Sequence, residues 1–154
     1  MERKELKVSA IKNGTVIDHL PSDSVFQVIR ILNLDNSDHP LYSGINLESK
    51  KYGNKGIIKV ENRFFEAEEV NKIALVAPHA SMIEIKDFEV IRKTQVEIPD
   101  SIAKVVKCIN PKCITNNQEV PTHFVVMNKE QEDELKLHCH YCEKTTAREN
   151  IVFK

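Results

Sequence analysis

The chain has 154 residues, 41% hydrophobic and 29% charged, with a formal net charge of −1. That is the composition of an ordinary globular protein with apolar mass for one sizeable core or two small ones. Its longest apolar runs span only a few residues, which excludes a membrane-spanning helix, and no apolar stretch of signal-peptide length follows the charged Met1 to Glu5, so a cytoplasmic location is expected.

Leu6 to Ile11 alternates apolar and polar residues, Asn13-Gly14 marks a tight turn, and Thr15-Val16-Ile17-Asp18 reads as a strand. After Pro21, Ser22 or Asp23 caps a helix whose apolar positions Val25, Val28, Ile29 and Leu32 follow helical spacing and which ends near Asn33-Leu34. The turn-rich Asp35 to Pro40 then leads into a hairpin, with Leu41 to Leu47 and Ile57 to Glu61 joined through a polar turn at Lys50 to Asn54. A second helix from about Glu66 to Val76 buries Val70, Ile73 and Ala74 and stops before Pro78. Ser81 to Arg92, rich in Ile and Val, is the last strand region. The order strand, helix, strand, strand, helix, strand predicts an α+β fold of the ferredoxin-like kind: a four-stranded antiparallel sheet with both helices on one face and the other face open.

Glu97-Ile98-Pro99-Asp100 interrupts this pattern and predicts a boundary, with one domain over 1–98 and a small β-rich one over 99–154. The second contains all four cysteines, as Cys108-x4-Cys113 and Cys139-x2-Cys142 separated by 25 residues. Two short loops of this kind bring four soft thiolates to one tetrahedral Zn²⁺, which would then be structural because no coordination position stays open. Two disulfides are the alternative. A Cys-x2-Cys pair is awkward to bridge internally, and a reducing compartment favours metal. His138 and His140 flank Cys139 and read as surface or supporting histidines beside a complete thiolate set. So short a domain cannot bury a secure apolar core, and a metal worth roughly 10 kcal/mol or more in finger peptides supplies what is missing. Many four-cysteine ribbons bind nucleic acid through basic faces. Here residues 99–154 carry eight basic and eight acidic residues and the remainder fourteen and fifteen, so neither part shows the basic footprint of a duplex binder.

The segments Val8-Ser9-Ala10-Ile11-Lys12-Asn13-Gly14-Thr15-Val16-Ile17-Asp18-His19, Gly44-Ile45-Asn46-Leu47, Ile57-Ile58-Lys59-Val60-Glu61-Asn62, Ala74-Leu75-Val76-Ala77-Pro78 and Cys139-His140-Tyr141-Cys142-Glu143-Lys144 occur in that order with the cysteines. In this combination the chain resembles the regulatory chain of aspartate carbamoyltransferase over almost its whole length. The resemblance implies a non-catalytic subunit of pyrimidine biosynthesis: an N-terminal domain binding CTP or ATP as allosteric effectors, and a zinc domain, with one Zn²⁺ per chain, held against the catalytic chain. It also implies a regulatory-chain homodimer.

Carried over by motif, the nucleotide site comprises Val8, Ser9, Ala10, Ile11, Val16, Asp18, His19, Lys59, Ile83, Ile85, Phe88, Val90 and Lys93. The catalytic-chain contacts comprise Asn110, Glu119, Tyr141, Glu143 and Lys144. The chemistry of these positions agrees with a nucleotide. Lys59 and Lys93 can neutralise a triphosphate, Asp18 can accept hydrogen bonds from ribose or a base amine, and His19 can add a contact near phosphate. Taken singly, the lysines would read as solvated surface residues and Ile11, Val16 and Val90 as core. Ile83 stands where the family often has a small polar residue, and Phe88 keeps an aromatic ring without a hydroxyl. No Gly-rich phosphate loop or nucleophile elbow is present, so nucleotide hydrolysis is not indicated. The competing reading is a zinc-ribbon nucleic-acid or transcription-type module. It calls for a basic stripe with interleaved aromatics, whereas the six Phe and three Tyr are scattered.

Overall fold

The computed structural model describes residues 10–50 and 53–154. The chain divides into two compact units, one up to Val96 and one from Glu97. Among the described residues, no helix is long and apolar enough to cross a membrane.

In the first unit β1 (Gly14–Leu20) is followed by a 3-10 turn and helix α1 (Val25–Ile31), then β2 (Leu41–Ser49), β3 (Gly53–Glu61), α2 (Ala67–Val76), β4 (Ser81–Lys86) and β5 (Glu89–Gln95). All strand pairs are antiparallel, and the order across the sheet is β2-β3-β1-β4-β5. The first four strands in chain order reproduce the expected ferredoxin-like arrangement, but the sheet has five strands, not four. The single strand region expected over 81–92 is a hairpin. Asp87 and Phe88 take φ of 51° and 65°, the two-residue turn whose twist matches flanking strands. The Phe88 N–H donates to the Lys12 carbonyl at 2.9 Å and the Asp87 N–H to Asn13 Oδ1 at 3.1 Å, which pins the turn.

Strand periodicity decides which residues meet the helices. Ile17 opposes Ile58 on one side and Met82 on the other, and all three are buried on the helix-facing side. Gly56 shares that side, and a β-carbon there would lie 2.1 Å from Val25 Cγ2, so its missing side chain lets α1 approach β3 closely. Helix α1 buries Val25, Val28 and Ile29 and ends as the spacing predicts: Leu32 caps it, and Asn33 takes the left-handed conformation at φ 54°. Glu66 and Glu69 form a reciprocal capping box at the start of α2. That helix buries Ile73, Ala74 and Leu75, while Val70, expected in the core, is only half-buried.

The second unit contains β6 (Ser101–Ala103), β7 (Val106–Lys107), β8 (His123–Met127), β9 (Lys136–Cys139), β10 (Thr145–Ala147) and β11 (Val152–Phe153). A sheet of order β10-β9-β8-β6 and the pair β11-β7 enclose a core of Ile102, Val106, Phe124, Leu135 and Leu137. Thr122, buried, donates its hydroxyl to the Val106 carbonyl at 2.7 Å, so its polar atom costs little inside.

Candidate metal centre and nucleotide face

The four cysteine sulfurs lie within 4.8 Å of one another, the only such cluster of metal-binding side chains among the described residues. Cys108 and Cys142 are 3.7 Å apart at sulfur, as are Cys113 and Cys139. A disulfide requires about 2.05 Å. A tetrahedron with Zn–S of about 2.3 Å has edges of about 3.8 Å, and the observed pairs match it. The ligands come from two knuckles, one between β7 and the 3-10 turn at Ile114–Asn116 and one closing β9, where the Glu143 N–H donates to the Cys139 carbonyl at 3.0 Å with Glu143 at φ 62°.

The surroundings of the sulfurs are arranged for thiolate. Burial pushes the Cys108 thiol up to about 12, against the N–H of Asn110 and with neighbouring sulfurs adding to the rise. Burial likewise raises Cys139, against the N–H groups of Cys142 and Tyr141. Burial would also raise Cys142, but the Asn110 side chain and the Lys144 N–H, then the neighbouring thiols, bring it down to about 7. Buried thiols at such separations ionise together only beside a cation, and N–H groups aimed at sulfur are what a thiolate-bound metal requires around it. The residues present fit a structural Zn²⁺ with no coordination position left for substrate. Among the residues expected to meet a catalytic chain, Asn110 belongs to this shell, its carbonyl also accepting from Asn116 Nδ2 at 2.7 Å. Tyr141, Glu143, Lys144 and Glu119 are exposed, and Tyr141 stands edge-on to His140 at 5.2 Å.

The other candidate site lies on the side of the first sheet turned away from the helices. Pairing registers align Tyr42, Lys59, Val16, Ile83 and Lys93 in one row across β2, β3, β1, β4 and β5. The next row toward the end of β1 holds Asp18, Ser81 and Gln95, and the row on the other side holds Gly14, Ile85 and Val90. The expected residues Val16, Asp18, Lys59, Ile83, Ile85, Val90 and Lys93 therefore share one face. His19, at φ 59° near the end of β1, has Nδ1 3.2 Å from Ser81 Oγ, and its N–H donates to Asp18 Oδ1 at 2.7 Å. Phe88 and Val90 are 67% and 62% exposed at the hairpin tip, whereas Ile11 is buried and Ala10 exposed. Val8 and Ser9 lie outside the described residues. The alternating segment Leu6 to Ile11 is described only at 10–11, which is not strand.

The face is polar at one end and apolar at the other. At the polar end Lys55 Nζ donates to Asp18 Oδ1 at 2.8 Å, with both side chains mostly covered. Burial would raise Asp18, but this bond, the His19 N–H and the charge of Lys55 hold it below its ordinary 3.8. Burial lowers Lys59 below its ordinary 10.5, opposed by the charge of Asp18. Lys55 was not among the expected site residues, although the spacing Lys55, Ile57, Lys59 puts it on the face of Lys59 by strand alternation alone. Lys93 stands three strands from Lys59, about 14 Å at Cα, and does not join this cluster directly.

Comparisons with known proteins find a match for each of the two units. The family model described as the aspartate carbamoyltransferase regulatory chain, allosteric domain, matches residues 6–97, and the one described as that chain's metal binding domain matches 100–152. Proteins named aspartate carbamoyltransferase regulatory chain are 48% identical over 150 residues in Bacteroides fragilis (97% of this chain, 96% of the relative) and 52% identical over 151 residues in Thermococcus sibiricus (98% and 97%). The relative of that name from Phocaeicola vulgatus is 50% identical over 149 residues, covering 97% of this chain and 94% of its own length. The chain belongs to the family of aspartate carbamoyltransferase regulatory chains.

Proposed function

We propose that this regulatory, non-catalytic chain binds a nucleoside triphosphate, CTP or ATP, on the face of its first sheet turned away from the helices and thereby modulates the catalytic chain with which it assembles. One observation carries the reading: Lys55, Lys59 and Asp18 cluster beside an apolar strip of Val16, Ile83 and Ile85 on one sheet face. A triphosphate is drawn by desolvated ammonium groups, a base by an apolar surface, and a ribose by a carboxylate with a second oxygen to offer. Lys93, at the far edge of the same row, meets a ligand that lies across β1 and β4. A nucleotide that prefers one quaternary state shifts the assembly toward it by its difference in affinity, and one that binds both states equally shifts nothing.

In this reading residues 1–98 carry the effector and 99–154 carry one zinc and the catalytic-chain contacts, with Asn110, Glu119, Tyr141, Glu143 and Lys144 as the candidates. Tyr141 and Ile109 are exposed apolar side chains next to the metal knuckles, which supports a protein partner there. A regulatory-chain homodimer is part of the same proposal, supported by β2, an edge strand with no further strand beside it among the described residues and carrying the exposed Ile45. The chain works in the cytoplasm, and its charge balance speaks against a nucleic-acid partner.

Calorimetric titration of the zinc-loaded chain with CTP and with ATP tests the effector site. Saturable binding that weakens in Lys59→Ala and in Lys55→Ala is the expected result. Unchanged affinity in both variants would move the site off this face.

A further inference from the structure

Two helices cover a sheet of four strands, and the fifth strand extends past them. Every residue of β5 is exposed, including Arg92 and Thr94 on its helix-facing side. Between that side and α2 lies a cleft of about 360 Å³, on the opposite surface of the sheet from the proposed nucleotide face. Its size is within the range of small-molecule sites, roughly 300–1,000 Å³.

The lining has two characters. Phe65, Val70 and Met82 form an apolar wall, and Asn71, Glu84 and Arg92 bring polar groups to its edge. Glu84 and Arg92 are directly opposed on β4 and β5. A register shift follows this pair at once, between Glu84 and Ile85, and a bulge there re-aims side chains locally. The carboxylate is half-buried, yet no ion pair or hydrogen bond joins either side chain to another group among the described residues. A negative and a positive group held side by side, unpaired, over an apolar wall are complementary to a small zwitterion.

We infer that this cleft binds an α-amino acid with an apolar side chain, its carboxylate on Arg92, its ammonium on Glu84 and its side chain against Phe65, Val70 and Met82. The site is independent of the nucleotide reading. It nevertheless shares that reading's strands: Glu84 lies between Ile83 and Ile85, and Arg92 precedes Lys93. An amino acid bound here rests on the back of the same β-ladder.

The probe is L-leucine, titrated into the full zinc-loaded chain and followed residue by residue in amide NMR spectra. Saturable shifts at Glu84, Arg92 and Asn71 in the millimolar range are expected. N-acetyl-L-leucine and L-leucinamide, each lacking one charge, should bind about tenfold more weakly or worse, the loss expected for one charge-assisted contact. Glu84→Gln and Arg92→Gln should each reproduce that loss, while Lys59→Ala keeps full leucine binding. The inference is overturned by the absence of saturable shifts at tens of millimolar leucine. It is equally overturned if the two blocked analogues bind as well as leucine, or if both Gln variants, folded by their spectra, bind leucine unchanged.

Discussion

Asp18 and Lys59 carry most of the electrostatic argument, because each is perturbed in a way that a ligand would notice. Burial holds the Lys59 pKa below its ordinary value, and on the proposed reading a bound triphosphate would raise it again. Lys59→Ala should therefore weaken CTP and ATP alike by about ten- to hundredfold, the worth of a charge-assisted hydrogen bond of roughly 1.5–3 kcal/mol, and the loss should shrink at high salt. Wild-type affinity should also fall as pH rises through the lowered Lys59 pKa, below 10.5, since the neutral amine attracts no anion. Calorimetry across pH and salt reads both effects. Asp18 has the opposite sign for folding. Its pKa is depressed in the folded chain, so its contribution to stability is complete above the unfolded value and is lost as pH falls through the depressed one, below 3.8. Urea midpoints measured from neutral pH downward should drop in that window, and Asp18→Asn should flatten this part of the profile. The sequence showed Asp18 and Lys59 as candidates but not their partner. Lys55 looks like a solvated turn lysine until strand alternation puts it on the face of Lys59, and only the register brings it to Asp18.

Among the elements, the long amphipathic ones were readable and the edge was not. Val25, Val28 and Ile29 announce α1 by spacing, and the Glu66–Glu69 box opens α2 where the pattern begins. The β4–β5 hairpin stays hidden for a physical reason. Asp87-Phe88 turns with two positive φ values but without the Asn-Gly or Asp-Gly that usually marks such a turn, and the bulge at Ile91, opposite Glu84 and Ile85, breaks the alternation of β5. Gly56 was equally silent, since a glycine in a strand does not reveal what approaches it. Its role makes a direct prediction: Gly56→Ala places a methyl 2.1 Å from the buried Val25 Cγ2. The variant should lose about 1–3 kcal/mol of stability from overpacking between α1 and β3. Urea unfolding followed by circular dichroism measures it, and Val25→Ala in the same chain should recover part of the loss by making room.

For the whole molecule, the proposed function gives the two units separate roles. The cysteine spacing pointed to one tetrahedral ion, and sulfur separations of 3.7 Å agree with that tetrahedron. What spacing could not supply was the shell of N–H groups from Asn110, Tyr141 and Lys144, because those contacts depend on how the knuckles close. Cys139→Ser removes a buried ligand from the centre and should unfold the elements β6 to β11 while leaving the first sheet folded. Metal analysis with amide NMR checks this: about one zinc per chain is expected in the wild type, together with loss of the dispersed signals of residues 101–153 in the variant. A chain that keeps those signals in a strong chelator would show that the metal does not hold the second unit together.

In the proposed function a nucleotide on the sheet face turned away from the helices acts on a catalytic site that another polypeptide carries. This is tested most directly by the aspartate saturation curve of the catalytic chain assembled with this one, recorded with and without CTP or ATP, for the wild type and for Lys59→Ala. Nucleotide should displace the wild-type curve, and the variant, still zinc-loaded and assembled, should need about ten- to hundredfold more nucleotide for the same displacement. Curves that ignore nucleotide in the wild-type assembly, or that respond identically in Lys59→Ala, would contradict it.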